Sequence, residues 1–124
     1  MGLPAYRATQ IYKWLMQGAC SFDEMTNLPL NLRQNLDDCY SIVNCKIQKK
    51  LVSSYDNTVK YLYMLEDGEA VESVLMEYKH GYSMCISTQA GCRMGCKFCA
   101  STVDGLSRNL LPSEMLSQIY ACEK

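Results

Sequence analysis

The sequence predicts an α+β chain: a small helical domain over residues 1–44, then a β meander, then the first βα unit of a larger assembly within 45–124. Three observations carry that reading. Apolar residues recur at helical spacing near the N-terminus, alternate strictly in the middle, and return to helical spacing after a cluster of three cysteines.

From Arg7 to Gln17, Ala8, Ile11, Tyr12 and Leu15 step as one face of a helix, and Gly18 is a natural stop. A second helix is expected from about Pro29 to Asp38, where Leu28, Leu32 and Leu36 step by four and Pro29 suits a first helical position. The period then changes. Asp56-Asn57 marks a turn, Val59, Tyr61, Tyr63 and Leu65 alternate, Asp67-Gly68 supplies a hairpin turn, and Val71 to Tyr78 runs extended. Tyr82 to Thr88 is a further strand, leading straight into the cysteines. A closing helix is expected from about Pro112 to Glu123, with Met115, Leu116, Ile119 and Cys122 on its apolar side. A parallel partner strand should follow such a strand–loop–helix unit. The sequence reaches Lys124 before one arrives, so the chain is expected to be a fragment.

Composition excludes some classes. With 124 residues, 48% of them hydrophobic, and a net charge of -1, the chain reads as an ordinary soluble protein of one domain or two small ones. No apolar run approaches the roughly 18 residues of a membrane span. Met1 to Arg7 lacks the basic start and apolar core of a signal peptide. A cytoplasmic protein without membrane contact is expected. The charge balance gives no basic excess, and the Lys46, Lys49, Lys50 cluster reads as solvated surface.

The eight cysteines fall into two groups. Cys20, Cys39, Cys45 and Cys122 are scattered and read as small buried hydrophobes. Cys92, Cys96 and Cys99 form C-x3-C-x2-C. At this composition chance would give that spacing only about 0.03 times per chain, so it is a strong signal. In a reducing compartment such a cluster is metal-binding or catalytic rather than a disulfide framework. Three thiolates suit three irons of a [4Fe–4S] cube and leave the fourth open, while Gly91 and Gly95 let the backbone wrap. The alternative is a structural zinc site, with Cys85 as a fourth thiolate or His80, the one histidine.

The cysteine motif, with Phe98 at its aromatic position, resembles the signature of radical S-adenosylmethionine (SAM) enzymes. Four further stretches narrow the resemblance: Gly2 to Ile11, Phe22 to Pro29, Cys85 to Gln89, and Arg108 to Leu110. Together they are similar to the dual-specificity ribosomal and transfer RNA adenine-C2 methyltransferases. A sister group acting on adenine C8 shares the cysteine motif. The resemblance implies a partial (β/α) radical SAM barrel preceded by an accessory domain that contacts RNA. It also implies a [4Fe–4S] cluster on Cys92, Cys96 and Cys99, SAM as second cofactor, and Phe98 packed beside it. Methyl transfer would run through a carrier cysteine beyond residue 124, with Cys85 as the resolving thiol and Glu72 as proton acceptor. Ribosomal RNA, transfer RNA and an electron-donor protein are the implied partners, for an enzyme expected to be monomeric. A piece of 124 residues is expected to be inactive alone.

The residues themselves give Cys85 and Glu72 some support. Cys85 shares a predicted strand face with Ser87 and Gln89, polar enough to face a site. Glu72 alternates with Val74, Met76 and Tyr78, and a carboxylate in so apolar a setting would be raised toward the range useful for proton abstraction. The competing readings are a buried cysteine and an edge-strand glutamate reaching solvent. Nothing matches Cys122 to the carrier.

Overall fold

The computed structural model describes residues 4–122. Gly2 and Leu3 of the N-terminal signature and Glu123 of the closing helix lie outside them. The chain divides into two units, Met1–Val43 and Asn44–Lys124.

The first unit holds helix α1 (Ala5–Met16), a 3₁₀ turn (Phe22–Glu24) and helix α2 (Leu30–Cys39). Pro29 caps α2 from just outside it, where its fixed φ of -57° leads into the first turn. Gly18 ends the α1 region with a φ of +75°, a conformation that costs glycine little. The core is Ala19, Phe22, Met25, Leu28, Leu32 and Leu36, with Ile11, Trp14, Leu15 and Ile42 packed against it. The leucine ladder of α2 therefore points inward, as its spacing predicts. The face of α1 is rotated from expectation: Ala8 and Tyr12 are exposed, and Trp14 joins Ile11 and Leu15 instead. The cause lies in Trp14, whose indole N–H donates to Asn27 Oδ1 at 2.8 Å while its ring joins the core.

The second unit is built on a four-stranded antiparallel sheet in the order β1 (Lys46–Val52), β2 (Val59–Met64), β3 (Ala70–Tyr78), β4 (Gly81–Cys85). Both predicted turns are present. Asp56 Oδ1 accepts from Thr58 N–H at 2.9 Å, and Gly68 adopts a φ of +88° in the β2–β3 turn. Alternation on β2 buries Tyr61 and Tyr63 with Leu65, Val71, Cys45, Ala90 and Leu110. Tyr63 is fully buried; its hydroxyl donates to the Gln118 carbonyl at 3.0 Å and accepts from Ser73 Oγ at 3.2 Å. Burial pushes that phenol up to about 12. The basic cluster of Lys46, Lys49 and Lys50 is exposed as expected, but it forms edge strand β1, kinked by a register shift between Ile47 and Lys49. Bulges and lysines are common protections of such an edge.

Two expectations change downstream. The strand predicted to run from Tyr82 to Thr88 ends at Cys85, and a separate antiparallel ladder forms between β5 (Gln89–Gly91) and β6 (Leu106–Asn109). The cysteine loop is thus the tip of a hairpin, and every strand pairing among the described residues is antiparallel. Helix α3 (Pro112–Cys122) follows, but its deepest face is polar. Glu114, Ser117 and Gln118 are buried, while Leu116 of the predicted apolar side is 39% exposed. Their buried polar groups serve interrupted backbone: Ser117 Oγ accepts from Cys45 N–H at 2.6 Å, and Gln118 meets the residues between β4 and β5. No helix among the described residues is long and apolar enough to cross a membrane.

Candidate functional site

The candidate residues all lie in the second unit, on two supports: the outer face of the sheet and the β5–β6 hairpin. The β3–β4 register sets Val74 opposite Cys85. Glu72, two residues earlier, is then the diagonal neighbour of Cys85 on the same face, about 7–8 Å away in ordinary sheet geometry. The structure therefore brings these two residues together, although they are thirteen positions apart in sequence.

Their surroundings differ from the sequence reading in two respects. The β4 ladder stops at Cys85, so Ser87 and Gln89 lie beyond the strand that carries it. Cys85 itself is exposed, which goes against the competing reading of a buried cysteine. The Glu72 carboxylate is not in an apolar setting either. Its side chain is 50% exposed and pairs with Lys60 Nζ at 2.7 Å, the ammonium arriving from β2 on the same face. The pair follows from register, since Leu62 sits opposite Glu72 and Lys60 is one diagonal step away.

The cysteine loop has a rigid base. Gly91 (φ +72°) and Gly105 (φ +74°) close it, and Cys92 N–H donates to Gly105 O at 2.9 Å. A Cβ on Gly91 would lie 2.1 Å from that carbonyl oxygen, so only glycine fits there. Farther along, the Thr102 hydroxyl is shared between the carbonyls of Cys96 and Cys99, at 3.0 and 2.9 Å. Cys92, Cys96 and Cys99 are each half-buried, and Phe98 projects from the loop 93% exposed. Among the described residues, no three His, Cys, Asp or Glu side chains are gathered closely enough to hold a metal ion. The donors fit an iron–sulfur cluster in kind and number, three soft thiols on one glycine-hinged loop. His80, the zinc alternative's nitrogen donor, stacks on Tyr78 at the β3–β4 turn, with ring centroids 5.2 Å apart.

None of the eight cysteines is in a disulfide. Of the four scattered ones, Cys45 is buried as expected, and burial raises its thiol; Cys122 is half-buried, whereas Cys20 and Cys39 are exposed.

A charged support behind the hairpin escaped the sequence reading. Arg108 on β6 donates to both Glu114 oxygens at 2.8 and 2.7 Å and to Asp67 Oδ2 at 2.6 Å. Glu114 Oε2 also accepts from Leu111 N–H at 2.7 Å, at the start of α3. One guanidinium thus ties the exit of the cysteine hairpin to the β2–β3 turn and to α3. The signal available was Arg108 among polar neighbours six residues before Glu114, too common a pattern to stand out. Hydrogen bonding to Arg108 holds both carboxyls below their ordinary values of 3.8 and 4.5. Groups depressed on folding contribute stability above their unfolded pKa and lose it as pH falls through the folded value. The unfolding midpoint is therefore expected to drop below about pH 4.5. Arg108→Met should flatten that acid limb, as thermal melts across a pH series would record.

Comparison with known proteins follows the same lines. A family model described as "Ribosomal RNA large subunit methyltransferase N-terminal domain" matches residues 1–42. Two bacterial relatives are each named "Probable dual-specificity RNA methyltransferase RlmN". The one from Alkaliphilus oremlandii is 53% identical over all of this chain and 36% of its own length. That from Pelotomaculum thermopropionicum is 56% identical, again over all of this chain, and 34% of its own length. A crystal structure of a radical SAM methyltransferase from Sphaerobacter thermophilus superposes with a TM-score of 0.86 at 39% identity, covering 97% of this chain and 36% of that one. The chain spans about a third of the length of these proteins. In sequence and fold the chain is similar to about a third of each of these methyltransferases, and its first 42 residues match the model of their N-terminal domain.

Proposed function

We propose that the chain is the N-terminal part of a radical SAM enzyme that methylates carbon 2 of adenine in ribosomal and transfer RNA through a methyl-cysteine intermediate. The observation that carries the proposal is the glycine-closed hairpin with Cys92, Cys96 and Cys99 in C-x3-C-x2-C spacing. Those three thiolates would hold a [4Fe–4S] cluster with SAM, and Phe98 would be covered by the cofactor. Bound there, the cofactors supply the radical and the methyl group. Cys85 is the resolving thiol, and its exposure at the end of β4 suits thiol–disulfide exchange. Glu72 is the proton acceptor, on the same face and steered by Lys60.

The first unit is the accessory that contacts RNA. Its exposed Tyr6, Tyr12 and Tyr40 offer rings on which unpaired bases can stack, and the Arg7 guanidinium lies 4.8 Å from the Tyr6 ring centre. The second unit opens a partial (β/α) barrel. The enzyme is cytoplasmic and monomeric and takes its electrons from a separate donor protein.

The test is methyl transfer from labelled SAM to unmodified ribosomal and transfer RNA by a longer protein that begins with this sequence. Label on adenine C2 is expected; label on C8 would favour the sister chemistry. Residues 1–124 alone are expected to transfer none, because no carrier cysteine is then held near the base. Such placement is worth roughly 7–11 kcal/mol of barrier when groups are well aligned.

A further inference from the structure

Gln118 is fully buried, and among the described residues it is the side chain that grips the backbone between Cys85 and the cysteine hairpin. Its Oε1 accepts from Ser87 N–H at 3.0 Å, and its Nε2 donates to Ser87 O at 2.9 Å. A neighbouring strand would offer the same donor and acceptor. The amide of α3 thus replaces a ladder partner where β4 has ended and β5 has not begun. Ser87 passes the constraint on, since its hydroxyl donates to the Glu72 carbonyl at 2.7 Å. The next residue accepts from Leu110 N–H through its carbonyl at 2.8 Å. Gln118 itself is anchored twice more: its Nε2 reaches the Glu114 carbonyl at 3.5 Å, and its own carbonyl receives the Tyr63 hydroxyl.

We propose that Gln118 is a positioning residue: by clamping Ser87 it sets where Cys85 and Glu72 stand relative to the hairpin of Cys92, Cys96 and Cys99. Its role in a reaction, though not the clamp itself, rests on the function proposed above. The residue type follows from the geometry. A primary amide carries both a donor and an acceptor on one flat group, which leucine or methionine of similar volume does not. An apolar replacement would leave both backbone groups of Ser87 without their side-chain partner at a part-buried position. The arrangement also explains why α3 buries its polar face, and why the chain can break between β4 and β5 without fraying.

The test compares the wild-type chain with Gln118→Met by amide hydrogen exchange and by alkylation of individual cysteines. In the wild type, Ser87 N–H should exchange as slowly as amides of the β2–β3 ladder. In Gln118→Met it should exchange roughly tenfold faster while the β2–β3 amides are unchanged. Alkylation of Cys85 should rise severalfold in the variant, and that of the exposed Cys39 in the first unit should not change. A purely global loss of stability would instead speed exchange across the whole sheet and open the buried Cys45 to alkylation. If the variant does not fold, the wild-type exchange rate of Ser87 decides alone, since fast exchange there overturns the clamp. Unchanged Ser87 and Cys85 rates in a folded Gln118→Met chain overturn the proposal as well. Iron uptake measured on the same samples separates the two ideas. A wild-type chain that takes up no iron and sulfide, with the clamp intact, refutes the function alone.

Discussion

Gly91→Ala is expected to dismantle the base of the cysteine hairpin. The new methyl carbon would sit 2.1 Å from the Gly105 carbonyl oxygen, 3.1 Å from its carbon and 3.3 Å from Leu106 Cα. All three are backbone atoms, so no side chain can swing aside to relieve the clash. The φ of +72° adds the usual penalty for a residue with a Cβ. Relief requires β5 and β6 to part, which loses the bond from Cys92 N–H to Gly105 O. The total should be on the order of 3–5 kcal/mol, enough to unfold a marginal domain. Gly95→Ala is the control. Its φ is +67° but nothing lies within 4 Å of the added carbon, so only the conformational penalty of about 1–2 kcal/mol applies. Denaturant unfolding of the two variants should rank Gly91→Ala well above Gly95→Ala. Iron uptake should fail in the first and survive in the second.

Cys85→Ala, placed in a longer protein that begins with this chain, is expected to stop turnover without touching the cofactor. Cys85 sits at the end of β4, outside the hairpin that carries Cys92, Cys96 and Cys99, so iron and sulfide content should stay at the wild-type level. In the proposed mechanism, resolution of the enzyme–RNA link would need a thiolate that forms a disulfide with the carrier sulfur. Without it, turnover should fall on the order of a thousandfold or more. RNA should accumulate crosslinked to protein through a single methylene bridge, visible as a shifted band that survives denaturation. Loss of iron in this variant would instead make Cys85 a metal ligand and end its assignment as the resolving thiol.

What the sequence disclosed, and what it hid, has a common physical cause. The leucines of α2 and the alternation of Tyr61 and Tyr63 were readable because burial of apolar groups is what periodicity reports. The turns at Asp56-Asn57 and Asp67-Gly68 were readable because each depends on local chemistry. The cysteine spacing stood out because it is rare. Elements held by polar groups gave no such signal. Edge strand β1 is exposed at every position, so it has no alternation to detect. The buried face of α3 carries Glu114, Ser117 and Gln118, which an amphipathic reading assigns to solvent. These residues are inside because the broken strands around the site leave backbone groups to satisfy, and that need is invisible before the strands are placed. The setting of Glu72 was misjudged for a related reason. Alternation along β3 gives its neighbours on one strand, but Lys60 comes from the adjacent strand, through a register the sequence does not state.

The central claim is that the hairpin thiols hold an iron–sulfur cluster, and anaerobic reconstitution of the chain with iron and sulfide tests it most directly. The wild-type chain should turn brown and retain about four irons with matching sulfide. The triple variant Cys92→Ala, Cys96→Ala, Cys99→Ala should stay colourless and retain none. A wild-type chain that binds one zinc tightly and never takes up iron with sulfide would contradict the account and make the loop a structural zinc site.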